Sequence, residues 1–281
     1  IRDDVESRGL GDVYKRQVEE NMPFDKDVSL DPELLGKVFE NLLASYNPET
    51  QQTARKQTGS FYTPREIVQY MVDESLIAHL KRTVGNELED EYRKLLAYAD
   101  SEIVLTEQQK LAIMQSLYNC KILDPACGSG AFPVGVLQQM VHILKQIDPD
   151  NSRWKNMLLQ FAIDETSEAY LTSTAEERRE AVADIERAFD ENVNYPDYAR
   201  KLHLIENCIY GVDIQPIAIQ ISKLRFFISL VIDQKRNDNP ADNFGIRPLP
   251  NLEAKFVAAN SLLGLKKTEA TLCLLYTSPS P

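Results

Sequence analysis

A short glycine-rich turn carries the clearest chemical signal in the sequence. Ile122-Leu123-Asp124 is a brief apolar run that ends in a carboxylate, and Gly128-Ser129-Gly130 follows just ahead of an amphipathic segment. This order predicts a strand, a tight turn and a helix. Ligands of open parallel sheets bind beyond the carboxyl ends of the strands, so the turn lies where a ligand is expected.

The residues beside the turn weaken one common interpretation of a glycine loop and exclude another. The loop begins like a dinucleotide fingerprint, but Pro133 takes the place of its last glycine, and the acidic residue expected about 20 positions later is not apparent. Gly130 and Gly135 have P-loop spacing, but Val136 and Leu137 stand where lysine and a hydroxyl residue would hold phosphate and magnesium. A P-loop is therefore excluded.

The same order of elements occurs again later in the chain. Cys208 to Asp213 predicts a buried strand, Pro216 opens a helix, and Lys255 to Ala258 predicts a third strand. Alternating strands and helices predict an α/β fold whose parallel sheet is covered on both faces. The buried face of the helix after Pro216 is predicted to hold Ile217, Ile221, Leu224, Phe227, Ile228 and Val231.

Helical patterns flank and interrupt this sheet region. Residues 18–119 are predicted to be helical, and Thr63-Pro64-Arg65-Glu66 has the form of a capping box with proline at the first helical position. The predicted organisation comprises a non-native end (1–17), a helical region (18–119), an α/β domain (120–267) with a helical insertion (151–206), and a second non-native end (268–281).

Both ends of the chain look foreign to the rest of the sequence. Gly9 to Gln17 and Leu272 to Pro281 resemble translated adapter read-through, and we expect neither to contribute to the fold. A native disordered tail is the alternative for each.

The glycine turn and two further segments resemble motifs of a known enzyme family. Asp124 to Phe132 (DPACGSGAF) resembles the cofactor motif of amino-methylating DNA methyltransferases. Thr58 to Pro64 (TGSFYTP) is similar to their upstream cofactor-contact segment, and Ile209 to Ile214 (IYGVDI) to their acidic ribose-binding strand end. Together the motifs cover most of residues 55–264 and look most like the methylase region of type IIG restriction enzymes and related phage-defence methyltransferases. The resemblance implies a class I, Rossmann-like, DNA adenine-N6 methyltransferase.

The resemblance implies S-adenosyl-L-methionine as cofactor and assigns roles to the residues of the loop. Gly128 and Gly130 permit close approach of the methionine part, while amides at the following helix start meet its carboxylate. Asp124 accepts from the methionine ammonium. The complete set of implied cofactor residues is Tyr62, Thr63, Asp124, Ala126, Gly128, Gly130, Phe132, Asp213, Ile214 and Asn260.

The nucleoside part of the cofactor is assigned to the second and third strand ends. Asp213 can accept from both ribose hydroxyls through charge-assisted hydrogen bonds. Ile214 and Phe132 would enclose the adenine ring. Asn260 stands where the family usually has an acidic residue, and its amide oxygen still accepts a hydrogen bond from the adenine amino group.

Simpler roles compete with several of these assignments. Thr63 also suits a plain helix cap, and Asp213 taken alone suits a strand-end turn. Cys127 is expected to be small filler, because no histidine lies near it in sequence to activate a thiolate. His79, His142 and His203 lie within helical patterns, where structural or surface roles are expected.

Composition limits the partners of the protein. The net charge of -12 argues against this chain as the main phosphate-binding surface, so double-stranded DNA would be held mainly by other regions. The four cysteines form no CxxC pair and indicate reduced thiols and no metal site. No long apolar run or secretory signal is evident, which favours a cytoplasmic, non-membrane protein.

The catalytic motif of the resembled family is missing from the sequence. That motif is Asn, Asp or Ser followed by Pro-Pro and an aromatic residue, and Asn47-Pro48, Asp148-Pro149 and Asn239-Pro240 all lack its second proline and aromatic. We therefore expect an N-terminal fragment that does not methylate. A non-catalytic scaffold, or a methyltransferase acting on RNA or protein, remains open as an alternative.

A three-stranded sheet would leave the strand before the glycine turn at an edge. We expect the isolated chain to be marginally stable or aggregation-prone, because an edge strand exposes unpaired backbone groups. Thermal unfolding, monitored by circular dichroism, tests this expectation. A cooperative transition at high temperature would contradict it.

Overall fold

The computed structural model describes residues 46–47, 52–53, 63–98, 102–164, 173–248 and 250–263. Tyr62 and both predicted non-native ends, 1–17 and 268–281, lie outside the described residues. In the described part of the chain, Tyr46–Asn47 (β1) and Gln52–Thr53 (β2) form a short antiparallel ladder. The helices are α1 Arg65–Thr83, α2 Glu89–Leu96, α3 Glu107–Asn119, α4 Ala131–Ile147, α5 Ser152–Ile163, α6 Ala175–Ala188, α7 Asp197–Asn207 and α8 Pro216–Val231.

The three predicted strands form a parallel sheet. Its strands are Ile122–Asp124 (β3), Ile209–Asp213 (β4) and Phe256–Ala258 (β5), and β4 lies between the other two. The register pairs Asp124 with Gly211 and Gly211 with Phe256, so the strands end at the same edge. The α/β prediction is thereby supported, with β3 at the edge of the described sheet and helices forming most of the described chain.

The two faces of the sheet differ in how they are covered. Ile209 and Phe256 are buried on the face that α4 and α8 pack against. The pairing register and strand alternation place Leu123 and Val257 on the opposite face, where their exposed fractions are 61% and 41%. Within the described residues, the sheet is covered on one face, whereas the sequence predicted cover on both.

The helical region and the sheet share one hydrophobic core. Val68 and Val72 of α1 pack against α4 at Gly135, where an added Cβ would lie 3.1 Å from a Val68 methyl group. Buried Gln139 of α4 donates to Asp73 of α1 at 2.7 Å and to the Leu96 carbonyl at the end of α2 at 2.9 Å. The region before the glycine turn therefore supports the helix that follows that turn.

The predicted insertion consists of α5, α6 and α7, joined to α4 by a buried polar cluster. Asp148, just after α4, accepts from the Trp154 amide of α5 at 2.9 Å. Arg200 of α7 is fully buried, donates to the Asp148 carbonyl and forms an ion pair with Asp197. Pro196 is the N-cap of α7, which begins at Asp197.

Two local predictions about helices are wrong. The capping box at Thr63 is not formed: Pro64 is the N-cap of α1, and no side chain caps the helix. Pro64 has an extended conformation, and its carbonyl accepts from the Ile67 and Val68 amides. In α8, Ile217 and Leu224 are exposed although the sequence predicted them to be buried.

Among the described residues, no helix has the length and apolar character needed to cross a membrane. The same residues contain no cluster of His, Cys, Asp or Glu side chains suited to a metal ion.

Gly211 in the central strand leaves no room for a side chain. An added Cβ would lie 2.7 Å from the Phe256 ring and 2.9 Å from Cys127 Sγ. We expect Gly211→Ala to lower the free energy of unfolding by about 1–3 kcal/mol, as overpacking of a core does. Urea unfolding measures the change.

A compensating variant provides the control. In a Phe256→Leu background the smaller side chain should leave more room. Adding Gly211→Ala should therefore lower the free energy of unfolding by less there than in the native background. Equal costs in both backgrounds would show that crowding by the ring is not the cause.

Candidate functional site

The glycine loop joins β3 to α4 with an unusual backbone. Gly128 and Gly130 have φ angles of 54° and 83°, in the left-handed region that favours glycine. A Cβ on Gly130 would lie 2.8 Å from Ser222 Oγ, whereas a Cβ on Gly128 would meet no atom within 4 Å. The loop is thus packed against the protein at Gly130 and open at Gly128, where a ligand can approach the backbone.

Asp213 at the end of β4 holds the loop in place. Its carboxylate accepts from the Gly128 amide at 2.9 Å and, through the other oxygen, from the Gln215 amide at 2.8 Å. The Cys127 amide donates to the Val212 carbonyl at 2.9 Å, which adds a second link to β4. Asp213 therefore stabilises the turn at the end of β4. Each carboxylate oxygen has a further lone pair, so contact with a ligand hydroxyl remains a compatible prediction.

Asp124 at the end of β3 has few hydrogen-bond donors around it. One oxygen accepts from the Ala126 amide at 3.0 Å. Burial raises the pKa of Asp124; the Ala126 amide opposes this effect and the nearby charge of Asp213 adds to it. A carboxylate destabilised in this way favours a cationic group beside it, such as an ammonium.

The N-terminus of α4 faces the same loop without a side-chain cap. Gly130 occupies the N-cap position, and no side chain makes a capping hydrogen bond there. The first-turn amides of Ala131 and Phe132 have no intrahelical acceptor, and Pro133 has no amide hydrogen. Uncapped helix N-termini attract anions, so a carboxylate is a suitable ligand group at this position.

The end of β5 lies against the loop through Ser261. Its hydroxyl donates to the Pro125 carbonyl at 2.9 Å, and the Ala259 amide donates to the Asp213 carbonyl at 2.9 Å. Neighbouring Asn260 is exposed, and its side-chain oxygen accepts from the Leu262 amide at 3.0 Å. The loop and the ends of β4 and β5 therefore meet at one edge.

The remaining predicted residues are placed differently. Ile214 is 62% exposed just beyond β4, while Phe132 is partly buried and packs against the core. Thr63 is exposed, two residues before the start of α1. Their contact with a cofactor stays a prediction.

Two site residues were missed by sequence reasoning. Ser222 Oγ of α8 donates to the Gly128 carbonyl at 2.9 Å, and Arg225 Nη1 donates to the Ser129 carbonyl at 3.0 Å. The signal that could have revealed them is the three-residue spacing of two polar side chains in a largely apolar helix.

Cys127 does not have the properties of a nucleophile. It is buried, and desolvation, followed by the charges of Asp124 and Asp213, raises the pKa of its thiol to about 12. Cys120, Cys127 and Cys208 are free, buried thiols, while Cys273 lies outside the described residues. The histidines lie in helices, where His79 contacts Ser116 and His203 stacks on Tyr118.

Comparison with known proteins gives one clear similarity. The chain is 29% identical over 252 residues to a protein of Methanocaldococcus jannaschii named "Putative type II restriction enzyme and methyltransferase". The alignment covers 85% of this chain but 17% of that protein's length. No protein-family model and no solved structure matches the chain.

The two carboxylates should respond oppositely to replacement by asparagine. A raised folded-state pKa means that ionised Asp124 lowers stability, an effect absent below the usual pKa of 3.8 and complete above the folded-state pKa. Asp124→Asn should therefore raise the free energy of unfolding at neutral pH, since its amide oxygen can still accept from Ala126. The gain should shrink as the pH falls towards about 4.

Asp213→Asn serves as the matched variant. It leaves one oxygen for two backbone amides, so we expect a loss of about 1–3 kcal/mol at neutral pH. Urea unfolding of both variants across this pH range measures the effects. Equal losses in the two variants would contradict the different roles assigned to the carboxylates.

Proposed function

We propose that this chain is the S-adenosyl-L-methionine-binding part of a site-specific DNA adenine-N6 methyltransferase of a restriction-modification or phage-defence system. The observation that carries the proposal is the bond from the Gly128 amide to Asp213, which joins a glycine loop to a strand-end carboxylate. The similarity to a named restriction enzyme and methyltransferase supports the reaction class. A class I, Rossmann-like sheet is part of the same proposal.

The charges around the loop suit the two ends of a methionine group. Its ammonium would lie beside Asp124, where it would compensate a poorly solvated carboxylate. Its carboxylate would lie at the uncapped N-terminus of α4. When bound, the cofactor supplies a methyl group activated by the positive sulfonium.

The nucleoside would extend from the loop towards β4 and β5. Asp213 accepts from the ribose hydroxyls through its remaining lone pairs, while its backbone-amide bonds keep the carboxylate oriented. Ile214 and Phe132 contact the adenine ring, and Asn260 accepts from its amino group. Tyr62 and Thr63 of the upstream segment are proposed to contact the cofactor.

DNA is the proposed methyl acceptor. The relative's name joins a restriction enzyme to a methyltransferase, and such a pair shares a DNA substrate. The net charge of -12 supports the proposal that most of the phosphate contacts are made by regions other than this chain. We assign no catalytic residue here, because none of the residues matches the Pro-Pro-aromatic motif. A cytoplasmic location, where the genome is accessible, belongs to the proposal.

Cofactor binding can be measured with S-adenosylhomocysteine and isothermal titration calorimetry on the full-length protein. Asp213→Ala should weaken binding at least tenfold, because it removes both the ribose acceptor and the support of Gly128. Glu180→Ala, an exposed change on α6, is the control and should bind normally. Unchanged affinity in Asp213→Ala would contradict the ribose assignment.

The acceptor can be identified by methyl transfer from labelled cofactor to unmethylated genomic DNA. We expect label in N6-methyladenine after digestion to nucleosides. Label in cytosine would overturn the adenine assignment, and transfer only to RNA or protein would overturn the DNA assignment. Cofactor binding with no transfer to any of them would indicate a scaffold.

A further inference from the structure

Helix α8 supports the glycine loop from the protein side. Ser222 and Arg225 are three residues apart and therefore share one side of the helix. Their side chains donate to the consecutive carbonyls of Gly128 and Ser129, at 2.9 Å and 3.0 Å. Exposed fractions of 0% for Ser222 and 1% for Arg225 show that both donors lie in the interior.

Packing alone does not account for a buried arginine at this position. Removing a guanidinium from water is costly, and apolar residues of similar volume often replace buried charges with no loss of stability. The α8 helix is otherwise rich in apolar residues that could fill such a space. What Arg225 provides, and an apolar side chain does not, is a charged donor to the Ser129 carbonyl.

These bonds determine how the loop peptides are oriented. In a planar trans peptide the carbonyl and the amide hydrogen point in opposite directions. Because the Gly128 carbonyl points at Ser222, the amide hydrogen of the same peptide, on Ser129, points away from α8. The side chains of α8 thus select which backbone groups the loop presents towards its ligand.

Gly130 is matched to this arrangement. A Cβ at this position would lie 2.8 Å from Ser222 Oγ and 3.1 Å from Ser222 Cβ. The glycine therefore admits the serine hydroxyl beneath the loop, in addition to permitting the left-handed backbone. The loop and α8 are thus joined by two hydrogen bonds, and the two partners of each bond are more than 90 residues apart in the chain.

We propose that Ser222 and Arg225 are positioning residues that hold the glycine loop in its cofactor-binding conformation. This inference rests on the proposed function, since it concerns the same cofactor site. Neither residue touches the cofactor; both act through the backbone of Gly128 and Ser129. Loss of either donor should therefore weaken cofactor binding by more than the accompanying loss of stability explains.

Arg200 provides a matched control for Arg225. It is equally buried on a helix and donates to backbone carbonyls, those of Asp148 and Pro149, which lie at the far end of α4 from the loop. A variant of Arg200 therefore reports what loss of a buried arginine does to the fold alone. The comparison separates positioning of the loop from general destabilisation.

The experiment compares Ser222→Ala, Arg225→Lys, Arg225→Met and Arg200→Met in the full-length protein. S-adenosylhomocysteine affinity is measured by calorimetry and the thermal midpoint by scanning fluorimetry. We expect Arg225→Met to weaken binding at least tenfold and Ser222→Ala about fivefold, the change that one ordinary hydrogen bond gives. Arg225→Lys should recover part of the affinity, because lysine keeps a charged donor without the planar fork.

Arg200→Met should lower the thermal midpoint while leaving the affinity of the folded protein unchanged. Native affinity in both Arg225→Met and Ser222→Ala would overturn the inference, as would equal loss in Arg225→Met and Arg200→Met. If Arg225→Met does not fold, Ser222→Ala and Arg225→Lys decide the outcome. A native protein that binds no S-adenosylhomocysteine would instead overturn the proposed function.

Discussion

The hydrogen bond from the Gly128 amide to the Asp213 carboxylate is the constraint on which the site depends. Its partners are 85 residues apart, so it forms only when β3 and β4 lie side by side and end at the same edge. The intervening helices α5 to α7 must return the chain to this position. Their buried link at Asp148 and Arg200 fixes them to the end of α4 that is remote from the loop.

Local signals in the sequence were sufficient to predict the strands and the glycine loop. Each strand is a short apolar run that ends at a polar residue or a turn, and left-handed backbone angles occur at the predicted glycines. The partners of Asp213 could not be predicted in the same way. The Asp213 carboxylate accepts from the backbone amides of Gln215 and Gly128. The Gly128 amide lies near Asp213 only after the sheet has formed.

The buried side of each helix was harder to predict, because apolar periodicity does not show which groups of the neighbouring element the helix packs against. In α8 the glycine loop presents carbonyl groups, and Ser222 and Arg225 are buried against them while Ile217 and Leu224 are exposed. In α1 the absence of a side chain at Gly135 admits Val68 and Val72, so the buried stripe is set by α4. The capping signal at Thr63 failed for a related reason, since the extended Pro64 already provides the helix start.

The ionised Asp124 carboxylate at the loop lowers the stability of the folded protein when no cationic group lies beside it. Asp124 is poorly solvated and feels the charge of Asp213, and both effects raise the pKa of Asp124. A cationic ligand group would compensate the two carboxylates, whereas DNA phosphate would repel them. Binding to the folded state alone also stabilises that state. Under the proposed function, cofactor binding and DNA binding would therefore place opposite electrostatic demands on this region, and an overall charge of -12 suits the first of them.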